Sequence, residues 1–368
     1  MLERFRVSDR DCIYIKEKRI RAAVETLFHK MGLDNRGAAA AADVLVKSDL
    51  MGVESHGVSN MLRRYIERYQ AGTLNPSPEP TIVRETATTA SVDGDGGLGI
   101  HIGAKMMGIA IEKARRSGMG AVSVSHSGHL GACGYFALQA AEADMIGVCM
   151  TGGFSGDNAA HGMVPTFGAQ SRLGTNPIAW AAPAKNRAPF LFDVATTQVA
   201  GNKLILAERL KAELDPAWIA RRDGTPIMEK GLVPEEFFLL PFGGTRENGS
   251  HKGYGFGIIS AIMCQTLAGS GLQGKSTKWG NGHHFFAAYQ IEAFCDLEEF
   301  KCNLDEALDR LANTPPAPGH ERVIYPGQDE AEEFNKRTEE GIPYHTEVIN
   351  WFHQIGKELN IAIDLPEQ

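Results

Sequence analysis

Four short segments of this 368-residue chain gather side chains suited to moving a proton or a hydride. The first is Glu54-Ser55-His56-Gly57. An imidazole titrates near neutrality, so it can both take and give a proton, and the glycine after it leaves room for a ligand. The same residues also read as a helix cap by Ser55 beside an exposed histidine. The second runs from Ser125 to Gly134 and holds His126, His129, Leu130, Gly131, Ala132 and Cys133. It lies where a strand gives way to a helix, and small residues there expose backbone N–H groups to a phosphate or carboxylate. His126 and His129 have a spacing that could suggest a metal pair, but no acidic residue nearby completes a ligand set, so no metal is expected. The third is Phe190-Leu191-Phe192-Asp193-Val194-Ala195, running on to Thr197. A carboxylate ending an apolar strand needs a partner; Asp193 either orients a histidine or caps the next helix. The fourth joins Pro241–Gly244 to His251-Lys252-Gly253. Its lysine, at a glycine-rich helix start, suits either phosphate or plain solvent.

One glycine motif points the wrong way. Gly94, Gly96 and Gly99 form a literal GxGxxG between a candidate strand and a candidate helix. A Rossmann dinucleotide site also needs an acidic residue about 20 positions on, at the end of the next strand. That strand ends in Ser125 and His126. The glycines are therefore read as a tight strand-to-helix turn.

The elements that must position these groups follow from periodicity. Residues 16–32 repeat Ile20, Ala23, Val24, Leu27 and Phe28 at helical spacing. Asp34 or Asn35 can cap a second helix that stops near Gly52, and a third apolar-periodic stretch ends at Gly72. The proline-rich TLNPSPEP is a connector. From residue 81 strand and helix alternate: a strand in TIVRETATTASVDG, a helix to Gly118, then GAVSVSH, GYFALQAAEAD, MIGVCMT, NPIAWAAP and PFLFDVA. KGYGFGIISAIMCQTLAG reads as a buried helix, HHFFAAYQIEAF as a late strand, and 297–368 mostly as helix. This succession predicts an α/β protein. Residues 1–75 and 297–368 are expected to form a helical lobe beside an α/β lobe over 76–296.

Composition narrows the function. A net charge of -8 excludes nucleic acid as a natural partner. The six cysteines form no CxxC pair, which suits reduced thiols in a cytoplasmic protein. The charged start lacks an apolar signal region, and no apolar run reaches membrane-spanning length.

Taken together, ESHGVSNMLRRY, DGDGGLG, HSGHLGACGYFALQAA, FGAQSRLGTNPIAWAAP, FLFDVATT, HKGYG and APGHERVIYPGQ resemble the type-2 malate/L-lactate dehydrogenase family, in order and over nearly the whole chain. The resemblance implies a non-Rossmann α/β fold special to that family, a homodimer, NAD or NADP extended in a cleft, and a small 2-hydroxy or 2-oxo acid as substrate. It implies a proton-relay set of Ser55, His56 and Asp193, with His129 taking the acid/base role in the ureidoglycolate branch. Cofactor contacts carry over to His129–Cys133, Leu191–Ala195, His251-Lys252 and Gly327-Gln328. Two departures bear on the substrate. Asn60 stands where some members have arginine, with Arg63 or Arg64 as substitutes, and the loop after Met150 is long and brings Asp157 and His161.

The expected chemistry is hydride transfer at C2 of the acid, with His56 or His129 handling the hydroxyl proton. A cyclic imino acid reductase on the same scaffold is the near alternative. A Ser/His/Asp hydrolase is the distant one: the side chains of adjacent Ser55 and His56 should diverge, and no GxSxG elbow is present.

Overall fold

The computed structural model describes residues 9–155, 162–272 and 279–366. Asp157 and His161 fall outside them. The described residues open with a 3-10 turn (Asp9–Asp11), then β1 (Cys12–Ile15), α1 (Glu17–Lys30) and α2 (Asn35–Leu50). The α1 stripe of Ile20, Ala23, Val24, Leu27 and Phe28 is buried as its spacing predicts. Asp34 caps α2 by accepting from Gly37 N–H at 2.7 Å. A 3-10 turn over Glu54–His56 and a π turn over Val58–Leu62 lead into α3 (Arg63–Gln70). π turns often sit at functional sites.

Next come β2 (Thr81–Glu85), β3 (Thr89–Asp93), α4 (Gly99–Ser117), β4 (Met119–Ser127), α5 (Cys133–Ala141), β5 (Met145–Thr151), β6 (Ile178–Ala182) and β7 (Phe190–Val194). After α6 (Gly201–Leu210), β8 (Ile219–Ala220) and β9 (Phe238–Leu239) form a small ribbon, and α7 (Ser250–Ala261) precedes β10 (Gly282–Gln290). The chain ends with α8 (Leu297–Ala312), α9 (Gln328–Glu340), β11 (Ile342–His345) and α10 (Thr346–Leu359). β1 pairs antiparallel with β11, so residues 12–15 meet residues 342–345.

The main sheet has the order β2-β3-β4-β10-β5-β6-β7. Among the described strands of this sheet, β3 with β4 is the one parallel ladder; the other neighbours are antiparallel. A Rossmann crevice needs parallel strands running to a common carboxyl edge, so the α/β fold is of another kind, as expected. The GxGxxG turn has a packing role. A Cβ on Gly96 would come within 2.1 Å of Trp279, and one on Gly99 within 2.7 Å of the His129 carbonyl. These glycines let α4 start directly against the segment carrying His129. The stretch expected as one strand from Thr81 is a hairpin of β2 and β3, because Thr86 turns the chain through its hydroxyl bonds to Thr88 and Thr89 N–H.

The two faces of the sheet differ. α4 and α5 cover one, with α2 above them, and Val122, Val124, Phe136, Cys149 and Phe286 belong to the large core there. The other carries a small cluster around Val148, Met150, Cys264 and Phe285 and leaves Trp180 and Phe192 exposed. α7 and the π turn after it lie on that side, and Phe256, Ile259 and Ile262 face solvent. The buried helix expected there is thus buried on one side only.

Candidate active site

His56 and His129 come from segments 73 positions apart, yet their rings stack in parallel, 5.9 Å between centroids and 6° between planes. His56 ends the 3-10 turn after α2. His129 sits in the connection from β4 to α5. Ser55 Oγ lies 3.0 Å from His56 Nδ1, so the two adjacent side chains converge rather than diverge; the tight turn folds them together. His129 Nδ1 meets the Tyr65 hydroxyl at 2.6 Å and accepts from Gly131 N–H at 3.1 Å.

These partners decide the proton positions. A backbone N–H can only donate, so His129 Nδ1 must be a lone pair and its proton resides on Nε2. Ser55 can accept from His56 Nδ1–H whether the ring is neutral or charged. His56 can therefore gain and lose a proton at Nε2 without losing its partner, whereas His129 is held in one tautomer. Among the described residues neither Nε2 has a partner, and neither is sealed from solvent. Burial pushes His56 down to about 4. Burial, with the neighbouring His56, His284, Arg64 and Arg68 charges, pushes His129 to about 3. Both are neutral at pH 7.

Polar groups surround the pair. Asn202, at the start of α6, donates to the Ser55 carbonyl at 3.0 Å, and Arg64 donates to the Asn202 side chain at 3.2 Å. Asn60 is turned toward Ser55 and Asn202 carbonyls. Of the two substitute arginines, Arg63 pairs with Glu67 on the surface, whereas Arg64 is near enough to His129 to lower its pKa.

Asp193 takes another post. Its Oδ2 accepts from Gly134 N–H at 2.6 Å, so it caps α5 and occupies the N-terminus that the sequence offered to a ligand anion. It caps a helix earlier in the chain rather than the next one. Crowding around the carboxylate raises its pKa against the lowering effect of that N–H, while the residue as a whole is exposed, which moderates the shift. Among the described residues neither His56 nor His129 has a carboxylate hydrogen-bond partner, so no Ser/His/Asp triad forms.

From α5 a cleft of about 620 Å³ extends past Tyr135, Gln139, Arg187, Leu191, Gly327 and Glu330. It joins Leu191 to Gly327, which the sequence separates by 136 positions. Gly327 has φ +99°, and a Cβ there would lie 2.6 Å from the Pro189 carbonyl. Gln328 follows as the first residue of α9. The segment Leu130–Cys133 bridges His129 and α5, with Leu130 and Cys133 buried. Phe192 and Val194 flank Asp193 in β7, and Ala195 follows the strand. His251 and Lys252 lie elsewhere: they are exposed at the start of α7, beside a separate cleft lined by Thr166, Arg246 and Ser250.

Residues 15–352 match the family model described as Malate/L-lactate dehydrogenase. The chain belongs to the malate/L-lactate dehydrogenase family. It is 37% identical over 360 residues to the malate dehydrogenase of Pyrococcus abyssi, covering 95% of this chain and 97% of that protein. It is 34% identical over 357 residues to the L-sulfolactate dehydrogenase of Methanocaldococcus jannaschii, covering 95% and 98%. The crystal structure of malate dehydrogenase from Entamoeba histolytica superposes with a TM-score of 0.89 at 32% identity, over 96% of this chain and 100% of that one.

Within this family member, several residues beside the pair carried no signal in the sequence. Tyr65 reads as one aromatic of an amphipathic helix, and nothing in its spacing ties it to His129. Asn202 lies 147 positions from Ser55. His284, on β10, is buried with Nδ1 2.7 Å from the Thr151 hydroxyl. Thr151 donates to the His283 carbonyl, so the His284 ring donates to Thr151. Among the described residues no group of three or more His, Cys, Asp or Glu side chains is arranged to hold a metal.

Proposed function

We propose that this protein is a nicotinamide-dependent dehydrogenase of small 2-hydroxy acids in which His56 is the acid/base. The observation that carries the assignment is the Gly131 N–H on His129 Nδ1: it leaves His56 as the ring free to change protonation. The proton leaving the C2 hydroxyl lands on His56 Nε2, and Ser55 receives the Nδ1–H of the resulting imidazolium. In the reverse direction the same Nε2–H returns it. His129 Nε2–H donates to the substrate oxygen as charge builds there. Arg64 pairs with the substrate carboxylate, with Asn202 fixing its direction.

The cleft from α5 to α9 fits NAD or NADP: its volume is that of a cofactor site, and Gly327 leaves the backbone clear for a close approach. Leu191 and Gly327 line it, with His129–Cys133, Asp193 and Gln328 in the segments that adjoin it; His251-Lys252, exposed beside the separate cleft, do not belong to it. When bound, nicotinamide supplies the hydride acceptor or donor. Asp193 keeps the α5 end of the cleft in place. The uncovered sheet face with Trp180, Phe192 and Ile259 is the homodimer interface, since a large exposed apolar patch marks such a surface. No described helix is long and apolar enough to cross a membrane, and the six cysteines include no CxxC pair; we read the enzyme as cytoplasmic.

The test follows nicotinamide absorbance with NAD and NADP against malate, lactate, sulfolactate, ureidoglycolate and a cyclic imino acid. Turnover of one 2-hydroxy acid with either cofactor supports the reading. Turnover of the imino acid alone, or of none, overturns it.

A further inference from the structure

Asp49, the next-to-last residue of α2, is fully buried and takes no part in the chemistry just described. Its Oδ2 accepts from Val58 N–H at 2.9 Å and from the Tyr344 hydroxyl at 2.7 Å. Its Oδ1 is sealed, without a partner among the described residues, and lies over Gly57, where a Cβ would come within 1.7 Å of it. Arg337 on α9 closes the network. It donates to the Asp49 carbonyl at 2.7 Å, pairs with Glu54 at 2.9 Å and bonds Glu333 at 2.7 Å. The two residues after His56, and Glu54 before it, are thus tied to one buried carboxylate or to its arginine.

We propose that Asp49 is a positioning residue for the acid/base step, holding the Gly57–Val58 backbone so that His56 Nε2 meets the substrate hydroxyl. This rests on the assignment of His56 above. An unsatisfied buried carboxylate oxygen is costly, and its presence beside a glycine that no other residue could replace marks a position kept for more than packing. Burial pushes the Asp49 carboxyl up to about 7, opposed by the Tyr344 hydroxyl. A proton placed on Oδ1 leaves Oδ2 able to accept both bonds, so the hold is geometric. Asparagine, with its carbonyl in place of Oδ2, reproduces it.

The experiment measures kcat for the hydroxy acid, and cofactor affinity, below the melting midpoint of each variant. Asp49→Ala lowers kcat on the order of 100-fold, as expected for an ångström-scale misplacement, and leaves cofactor affinity unchanged. Asp49→Asn recovers activity to within several-fold despite a lower melting midpoint. Should Asp49→Ala fail to fold, Gly57→Ala displaces the same contact from the other side and shows the same loss. In a His56→Gln background, Asp49→Ala adds nothing further. Full kcat in Asp49→Ala, or an Asp49→Asn as slow as the alanine variant, overturns the proposal. So does a second 100-fold loss in the double variant. An active His56→Gln overturns the His56 assignment and this inference with it; an inactive His56→Gln beside a fully active Asp49→Ala removes this inference alone.

Discussion

The segment Glu54–Val58 and the connection Ser127–Cys133 each deliver one imidazole to the same stacked pair, and they are held in opposite ways. The first is gripped by side chains outside it: Asp49, itself held by Tyr344, and Arg337 behind it, and Asn202 in front. The second is held mainly by its own backbone. Ser127 Oγ donates to the Gly97 carbonyl, Gly131 turns at φ +74°, and the Gly131 N–H returns to the ring it follows. A ring locked by its own main chain has one tautomer. A ring resting on a hydroxyl has two usable protonation states. Two histidines in contact can thus divide the work, one moving the proton and the other presenting one.

Exchanging the rings separately tests that division. His56→Gln is expected to lower kcat by 100- to 10,000-fold with cofactor affinity within a few-fold, read by fluorescence titration. His129→Asn keeps an acceptor for Gly131 N–H but loses the Nε2–H; a loss of about 100-fold is expected. The comparison breaks if His129→Asn is the more damaging of the two and His56→Gln nearly neutral.

The pH profile sharpens it. Because burial lowers the His56 pKa to about 4, the neutral base persists through the whole range above that value. For oxidation, kcat/KM should stay level from pH 8 to about 5 and fall only as pH approaches 4. A descending limb near 6.5, the ordinary histidine value, would show that the base is a solvated ring elsewhere. The smallest effect belongs to Tyr65→Phe. It removes one donor from His129 Nδ1 and leaves the Gly131 N–H, so a loss of only several-fold is expected in kcat, with no change in the His56 limb.

Much of this was legible in the sequence, and the exceptions have physical causes. The α1 stripe, the Asp34 cap and the exclusion of a Rossmann turn at Gly94–Gly99 rest on local periodicity or on a missing residue, both visible in a linear text. His56 and His129 were legible as chemistry through their types, glycine neighbours and family resemblance. Their stacking was not, since it depends on how the turns after α2, and α3, lie against the connection from β4 to α5. Tyr65 and Asn202 were hidden because a polar atom on an otherwise ordinary helix has no signature until its partner is in place. Asp193 was ambiguous for a related reason: a carboxylate at a strand end finds whichever N–H tertiary packing brings near, and α5 reached it first. The hairpin at Thr86 was missed because its turn is made by threonine hydroxyls instead of glycine or proline.

The position of β10 has a consequence for how the chain is made. It lies between β4 and β5, although it begins at Gly282 and β5 ends at Thr151. A nascent chain that has emerged only as far as residue 281 therefore has two apolar strands with a vacant slot between them, and each offers an unpaired edge to any neighbour. Contacts of such long sequence separation form slowly. The middle of this sheet is completed only once Gly282–Gln290 has emerged, and until then the half-built sheet is the stage most exposed to aggregation.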